Sequence, residues 1–563
     1  MAILRMLALY AHTIRHMKPR QISGRIGMRI IRPRADVSPA PGLRGLNGGA
    51  WREPARLAPS MTGPVRFRFL NEIRDLDESG WDDPQTPLLW RYNLHYFDDL
   101  AARGARARKA WHVPLILRWI AQNPPGQGTG WDPYPTSLRI VNWIRWALEG
   151  NELPAEAIHS LAVQTRWLMR RLEWHLLGNH LFANAKALVF AGLFFAGDEA
   201  ERWLRRGLSI LGREIPEQIL PDGGHFELSP MYHAIACMDM LDLLNILHCL
   251  PEDQGGLTAP LRKALEERLP SMLGWLSVMS HPDGEIAFFN DTAIGIAPAP
   301  GDIHAYGQRL GMMADKNGGT PGLTHLRDSG YIRINAGPAS LFLDVARVGA
   351  DYIPGHAHAD TLSCELSVHG RRLLVNGGIS TYAAGHERVK QRGTAMHNTV
   401  VVDGEDSSEV WSAFRLARRA RPFGLRIAEN GGDYIVRCRH DGYGRLCGKP
   451  VHERVWRFAA QELVVEDRIV PAHGHTCLAR WRFHPAIHLQ REDSAWLAVA
   501  GGRCRAKITF DASFSRLRQE GWHPGFGMVE PCSVLEAGLM QGASVMRLDW
   551  SMWGEGKKCT SFS

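Results

Sequence analysis

From about Trp81 to Leu310 the chain alternates long apolar-rich stretches with short polar breaks. The stretches Tyr134–Leu148, Ala155–Leu176, Leu181–Phe195, Glu199–Ile215, Met231–Leu247 and Leu261–Val278 have helix length, and several place apolar residues three and four apart. Gly, Pro and Asp-Gly phrases punctuate them. Helix after helix with short connections predicts paired helices arranged around a centre.

After about Gly319 the pattern changes to short β-branched runs separated by Gly, Asp and Asn. Tyr331–Asn335, Ser340–Val345, Leu373–Val375, Thr399–Val402, Asp433–Cys438, Val451–Phe458, Glu462–Ile469 and Lys507–Phe510 predict an antiparallel sandwich of many strands. The first 30 residues read as a basic amphipathic helix. Residues 31–65, rich in Pro, Gly and Arg, carry no period and predict a linker or an extended wrap. Three regions result: an arm at 1–65, a helical domain at 66–318 and a sandwich at 319–563. A cleft between the last two is where an elongated ligand is expected.

Composition narrows this only a little. A chain of 563 residues exceeds one growing core. Apolar content of 45% with 22% charged residues fits a soluble globular protein. A net charge of +8 suits an acidic polymer as partner, but no concentrated basic motif points to nucleic acid. Nineteen tryptophans suit either stacking on sugar faces or a large helical core. Nine cysteines without a CxxC pair predict reduced thiols rather than a disulfide framework.

The opening residues fail as a secretory signal, because Arg5 interrupts the apolar run and His12 and Arg15 close it. No run of about 18 apolar residues predicts a membrane span. The expectation is a cytoplasmic protein. The alternative is a periplasmic one, or one peripheral to a surface-polysaccharide assembly complex. Homo-oligomerisation stays open.

Four polar clusters stand out against this scaffold. Asn179 and His180 open a very apolar helix that also holds Asn184 and Lys186. Asn179 reads equally well as a helix cap, but buried Asn184 and Lys186 need partners. The phrase Asp222–Ala234 (DGGHFELSPMYHA) gathers His225, Glu227, Tyr232 and His233 where a helix begins. Ser229 is placed to cap that helix with Pro230 at its first position. His281–Ala293 reads as a turn whose Asn290 and Asp291 line a polar pocket. The sharpest group is His356 and His358 in GHAHAD, with His397 in MHNTVVVDG.

Zinc needs three or four N, O or S ligands. His358 and His397 are candidates, with Asn376, Asp360 or Asp403 as the oxygen donor. Tyr382, Arg388 and Arg392 precede His397 and are placed to face an anionic substrate.

Asn179–His180, DGGHFELSPMYH, GHAHAD, the VNGG turn and MHNTVVVDG, in that order, resemble the heparinase II/III-like and alginate-lyase polysaccharide lyases. The phrases LALYAHTIRHMKPRQISGRI and LLWRYNLHYFDDL are similar to members associated with bacterial surface-polysaccharide systems. The resemblance implies an incomplete (α/α) toroid followed by an antiparallel β-sandwich, and β-elimination on a uronic-acid-containing polysaccharide. It implies that Asn179 and His180 neutralise the uronate carboxylate. Tyr232 and His356 do acid and base work, and Tyr382 is a further cleft tyrosine. Glu227, Arg388 and Arg392 are placed at the substrate.

A structural zinc on His358, Asn376 and His397 is also implied, with no organic cofactor. The family commonly has aspartate where this chain has Asn376. A glycoside hydrolase is the first alternative, drawing a carboxylate pair from Asp222, Glu227, Asp283 and Asp291. A non-catalytic polysaccharide-binding or assembly protein is the second.

Overall fold

The computed structural model describes residues 2–47, 50–77, 80–250 and 256–554. It has a helical N-terminal region followed by a many-stranded antiparallel β region. The helices are α1 (Ala2–Ile14), α2 (Pro19–Ile30), α3 (Leu88–Tyr96), α4 (Lys109–Gln122), α5 (Pro133–Leu148), α6 (Ala155–Arg170), α7 (Gly178–Phe194), α8 (Gly197–Gln218), α9 (Pro230–His248), α10 (Ala259–Val278), α11 (Pro300–Arg309) and α12 (His386–Arg392).

Three local departures from the sequence pattern have physical causes. The basic N-terminal segment is two helices, because Pro19 starts a new one with Lys18 as its cap. The helix expected to reach Leu176 stops at Arg170. The Glu173 amide that follows is capped by Asn184 Oδ1 at 2.8 Å, so residues 171–177 turn instead of continuing. Residues 66–75, expected at the start of the toroid, pair with Met61–Gly63 in a three-stranded sheet. The alternation in Arg66–Phe69, with both phenylalanines buried, drives that pairing.

Residues 31–47 and 51–60 wrap the helical domain in largely extended form. The Arg166 guanidinium donates to the Ser38 and Pro39 carbonyls, and Asn245 Nδ2 donates to the Arg52 carbonyl. The helical core is built on Trp119, Trp143, Leu188 and Leu244, all fully buried. The sandwich core holds Trp456 and Trp481. Each such side chain contributes about 1.5–3 kcal/mol on burial. The tryptophan surplus is therefore mostly core rather than sugar platform. No disulfide joins the eight described cysteines, and Cys559 lies outside the described residues.

The sandwich begins with a five-stranded sheet in sequence order, from Gly322–Leu326 to Arg371–Leu374. An eight-stranded sheet follows, with Glu462–Val470 paired to Ala543–Asp549 at its middle. A four-stranded sheet carries Cys477–Arg482 beside Val400–Val402. The first sheet is fastened to the helical domain by a buried apolar cluster that includes Trp275, Val278, Phe289, Tyr331 and Phe342. Asp222 Oδ2 accepts from the Asp328 and Ser329 amides across the same junction. No helix among the described residues is long and apolar enough to cross a membrane.

Candidate active site

The first turn of α9 supplies Tyr232. Ser229 caps this helix, accepting from the Tyr232 amide at 3.2 Å with Pro230 at the first position. The same Ser229 hydroxyl donates to the Asp291 carbonyl at 2.5 Å. Helix α9 and the Asn290–Asp291 turn are thus locked together. Three non-glycine residues with left-handed backbone flank the site: Leu177 (φ 64°), Leu228 (φ 58°) and Asn290 (φ 55°). Such strain persists only where the surroundings over-determine it.

Asp291 is the hub. Its Oδ2 lies 2.8 Å from His356 Nδ1 and its Oδ1 lies 2.8 Å from His358 Nε2. Arg388 holds both oxygens in a fork, at 2.5 and 2.6 Å. Burial alone would raise the Asp291 carboxyl. The Arg388 charge and the histidine hydrogen bonds outweigh it and hold the group well below the carboxylate range. An ionised Asp291 accepts from His356 Nδ1–H, which leaves the Nε2 lone pair of His356 free. That nitrogen is 3.8 Å from Glu227 Oε2.

The rings of Tyr232 and His356 lie with centroids 4.0 Å apart and planes tilted by 31°, although they belong to different domains. The Tyr232 hydroxyl lies 3.1 Å from that of Tyr382. Burial, with Tyr382 and Asp291 adding to it, raises the Tyr232 phenol well above its ordinary value, so it keeps its proton at neutral pH. The pair spans the cleft expected between the two domains. The apolar junction at Trp275 already holds it together.

On the opposite side, His180 Nδ1 lies 3.1 Å from Glu173 Oε1. Burial disfavours charge on this imidazole, but the Glu173 carboxylate outweighs burial and the net shift is upward. Asn184 Nδ2 holds Glu173 Oε2 at 3.0 Å, which explains the polar residue inside an apolar helix. Lys186 has its own partners, Asp239 Oδ1 at 2.8 Å and Asp242 Oδ2 at 2.7 Å. Asn179, Tyr232 and Asp239 line one concavity with Gln218 and His225.

Glu227 stands between His180 and His356, its side chain 1% exposed and neither oxygen in a well-formed hydrogen bond. Burial pushes its carboxyl upward. His233 takes no part in the cleft. Its Nδ1 accepts from the His225 amide and its Nε2 donates to the Met272 carbonyl.

Two expectations need correction. Arg388 and Arg392 do not face a substrate, because both are fully buried. Arg388 is spent on Asp291, and Arg392 donates to the carbonyls of Ala357, Ala413 and Pro354. They position the His356 segment. Asp291, which sequence reasoning treats as a pocket residue and as one possible glycosidase carboxylate, is the central carboxylate. Tyr134 is missed altogether, although its ring lies 4.5 Å from His180 and its hydroxyl is close to the Asn179 side chain. An aromatic in the first turn of a helix carries no sequence signal of its own.

The proposed metal ligands converge only in part. His358 Nδ1 and His397 Nε2 face each other at 3.2 Å. Their outer nitrogens contact Asp291 Oδ1 and Asn376 Oδ1, the latter at 3.2 Å. This is the outer-partner arrangement of metal-bound histidines, with two lone pairs directed into one gap. Asn376 stands behind His397 rather than in the gap. Asp360 accepts from the Asn290 amide, and Asp403 is turned to His475. Among the described residues no cluster of three His, Cys, Asp or Glu forms a cation site. The residues fit two metal ligands with their supporting partners, and lack the third donor zinc requires.

Two family models match the chain in tandem: "Heparinase II/III N-terminus" over residues 99–297 and "Heparinase II/III-like, C-terminal" over residues 318–546. The chain belongs to the heparinase II/III-like family. A heparin-sulfate lyase of Bacteroides stercoris is 26% identical over 270 residues, covering 45% of this chain and 40% of that protein. A heparin-sulfate lyase of Pedobacter heparinus is 25% identical over 248 residues, 41% of this chain and 36% of its own length. The aligned stretches thus span less than half of these relatives. The crystal structure of heparinase III superposes with TM-score 0.65 at 16% identity, covering 94% of this chain and 85% of that one. A heparan sulfate lyase HepC mutant from Pedobacter heparinus gives 0.55 at 17% identity, covering 94% and 87%. These likenesses show the family fold, a helical toroid followed by a β-sandwich.

Proposed function

We propose that this protein is a polysaccharide lyase that cleaves a uronic-acid-containing acidic polysaccharide by β-elimination. The observation that carries this reading is the pairing of a phenol that keeps its proton with an imidazole anchored through its Nδ1 to Asp291, 4.0 Å apart between ring centroids. Elimination needs a base for the C5 proton and an acid for the leaving oxygen on C4. His356 Nε2 takes the C5 proton, the C–H electrons form the C4–C5 double bond, and the C4–O bond breaks. The Tyr232 hydroxyl protonates the departing oxygen.

Charge builds on the uronate carboxylate as the C5 proton leaves. A protonated His180 and the Asn179 amide are the groups placed to stabilise it. Asp291 orients His356 and stabilises the imidazolium that forms. Tyr382 is hydrogen-bonded to Tyr232 and fixes its hydroxyl.

A glycosidase is disfavoured, because Asp291 and Asp283 are paired with arginines and Asp222 is spent on the domain junction. The names of the relatives add heparan sulfate and heparin to the substrates to be tried. The test is incubation with a panel of uronate polymers, sulfated and unsulfated, followed by ultraviolet absorbance of the 4,5-unsaturated uronate. New reducing ends without that absorbance would indicate hydrolysis. Saturable binding with unaltered polymer would indicate a binding protein.

A further inference from the structure

The arm formed by α1 and α2 has two contrasting faces. Its inner face is docked. Gln21 Nε2 donates to the Tyr352 carbonyl at 3.1 Å. A Cβ at Gly24 would lie 2.9 Å from the His175 amide, so α2 sits flush on that segment. Thr13 Oγ1 lies 3.2 Å from the Leu416 carbonyl, and Tyr10 packs on Trp411 at 4.9 Å.

The outer face is apolar and unpartnered. Ile22, Ile26 and Ile30 recur every four residues and are 45%, 54% and 73% exposed. At about 100° per residue this stripe lies opposite Gln21, Gly24 and Met28. On α1, Leu4 and Leu7 are 72% and 60% exposed.

The charge around this stripe is one-sided. Residues 1–34 contain eight Lys and Arg and no Asp or Glu. Arg25, Arg29 and Arg32 are exposed beside the isoleucines. A folded surface normally hides such a stripe or breaks it with charges of both signs. Exposed isoleucines interleaved with arginines match the two layers of an anionic lipid surface, acyl chains below and phosphates above. An acidic polysaccharide would use the arginines but give the isoleucines nothing to bury against.

We propose that α1 and α2 dock this protein onto an anionic membrane surface, lying in the interface without crossing it. The position relative to the cleft follows from the inner face. Arg171 ties the Met28 and Ile31 carbonyls to the turn that carries Glu173. Helix α1 rests on the Val410–Trp411 and Arg415–Leu416 hairpin, whose Phe414 contacts Tyr382. Docking therefore presents the cleft beside the bilayer. This inference is independent of the reaction catalysed.

The test is sedimentation of the full chain with vesicles of phosphatidylcholine alone or mixed with phosphatidylglycerol. Binding is expected only to the mixed vesicles and should weaken as salt rises. The triple variant Ile22→Ser, Ile26→Ser, Ile30→Ser should bind at least about tenfold more weakly, with an unchanged melting temperature. Arg25→Ala with Arg29→Ala should also weaken binding. Failure of the unaltered protein to bind anionic vesicles overturns the proposal. So does binding that depends on the arginines but not on the isoleucines, which would assign the arm to acidic polymers. Conversion of a dimer to a monomer by the isoleucine variant, with no vesicle binding by the parent, would assign the stripe to a second copy of this chain.

Discussion

His356 Nδ1 and Asp291 Oδ2 are 2.8 Å apart, joining segments 65 residues distant in the chain. Asp291 fixes the His356 tautomer from below while Arg388 keeps Asp291 ionised. Replacing Asp291 with Asn removes the charge and permits the wrong tautomer. Asp291→Asn is expected to lower kcat by about 10²–10⁴-fold with a smaller change in KM. It also leaves Arg388 buried without a counter-charge, so the melting temperature should fall. Unchanged kcat in a folded variant would remove His356 from the base role.

Tyr232 is predicted to act as the acid. Tyr232→Phe should lose about 10²–10⁴-fold in kcat while binding substrate nearly as well. Tyr382→Phe should lose less, because Tyr382 acts by orienting Tyr232. Steady-state kinetics on the cleaved polymer separate the two.

The pH profile should carry the signature of Glu173. His180 has its pKa raised, so it is charged below that value and neutral above it. Activity that needs the charged form is lost on the alkaline side as pH rises through the raised value. Glu173→Gln removes the raising charge, and the alkaline limb of kcat/KM should move to lower pH. Stability follows the same sign. The His180–Glu173 pair contributes fully below the unfolded histidine value of about 6.5 and is lost as pH rises through the folded one. Superimposable profiles for the two proteins would count against the assignment.

Metal content distinguishes two ligands from three. Adding zinc to chelator-treated protein should raise the melting temperature modestly. Asn376→Asp should respond no more strongly, because Asn376 stands behind His397 rather than in the gap. A much larger zinc-dependent rise in Asn376→Asp would place residue 376 among the ligands. His397→Ala should abolish the response.

Lys186 is expected to matter for stability. Its ammonium is 6% exposed and held by Asp239 and Asp242. Lys186→Met takes the cation from the part-buried Asp239 contact and leaves Asp242 with Arg145 and the Tyr306 hydroxyl, and should cost about 3 kcal/mol in chemical denaturation. A loss below about 1 kcal/mol would mean that water reaches the pair.

The helices and most strands are legible in the sequence because amphipathic periods are local. Val451–Phe458 alternates along its whole length, and α9 announces itself through Ser229 and Pro230. The residues of the site are legible as types, because an Asn-His pair, a capped tyrosine and a His-x-His phrase stand out on an apolar background. Their partners are not. Glu173, Asp291 and Tyr134 look like ordinary residues until the fold brings them to His180, His356 and Asn179. The sequence by itself determined the helical region, the strand region and the polar clusters. Only the tertiary structure decided that Arg388 and Arg392 are buried supports, that Asn376 stands behind a histidine, and that Tyr232 keeps its proton. Those outcomes depend on burial and on contacts between distant segments, which no local pattern encodes.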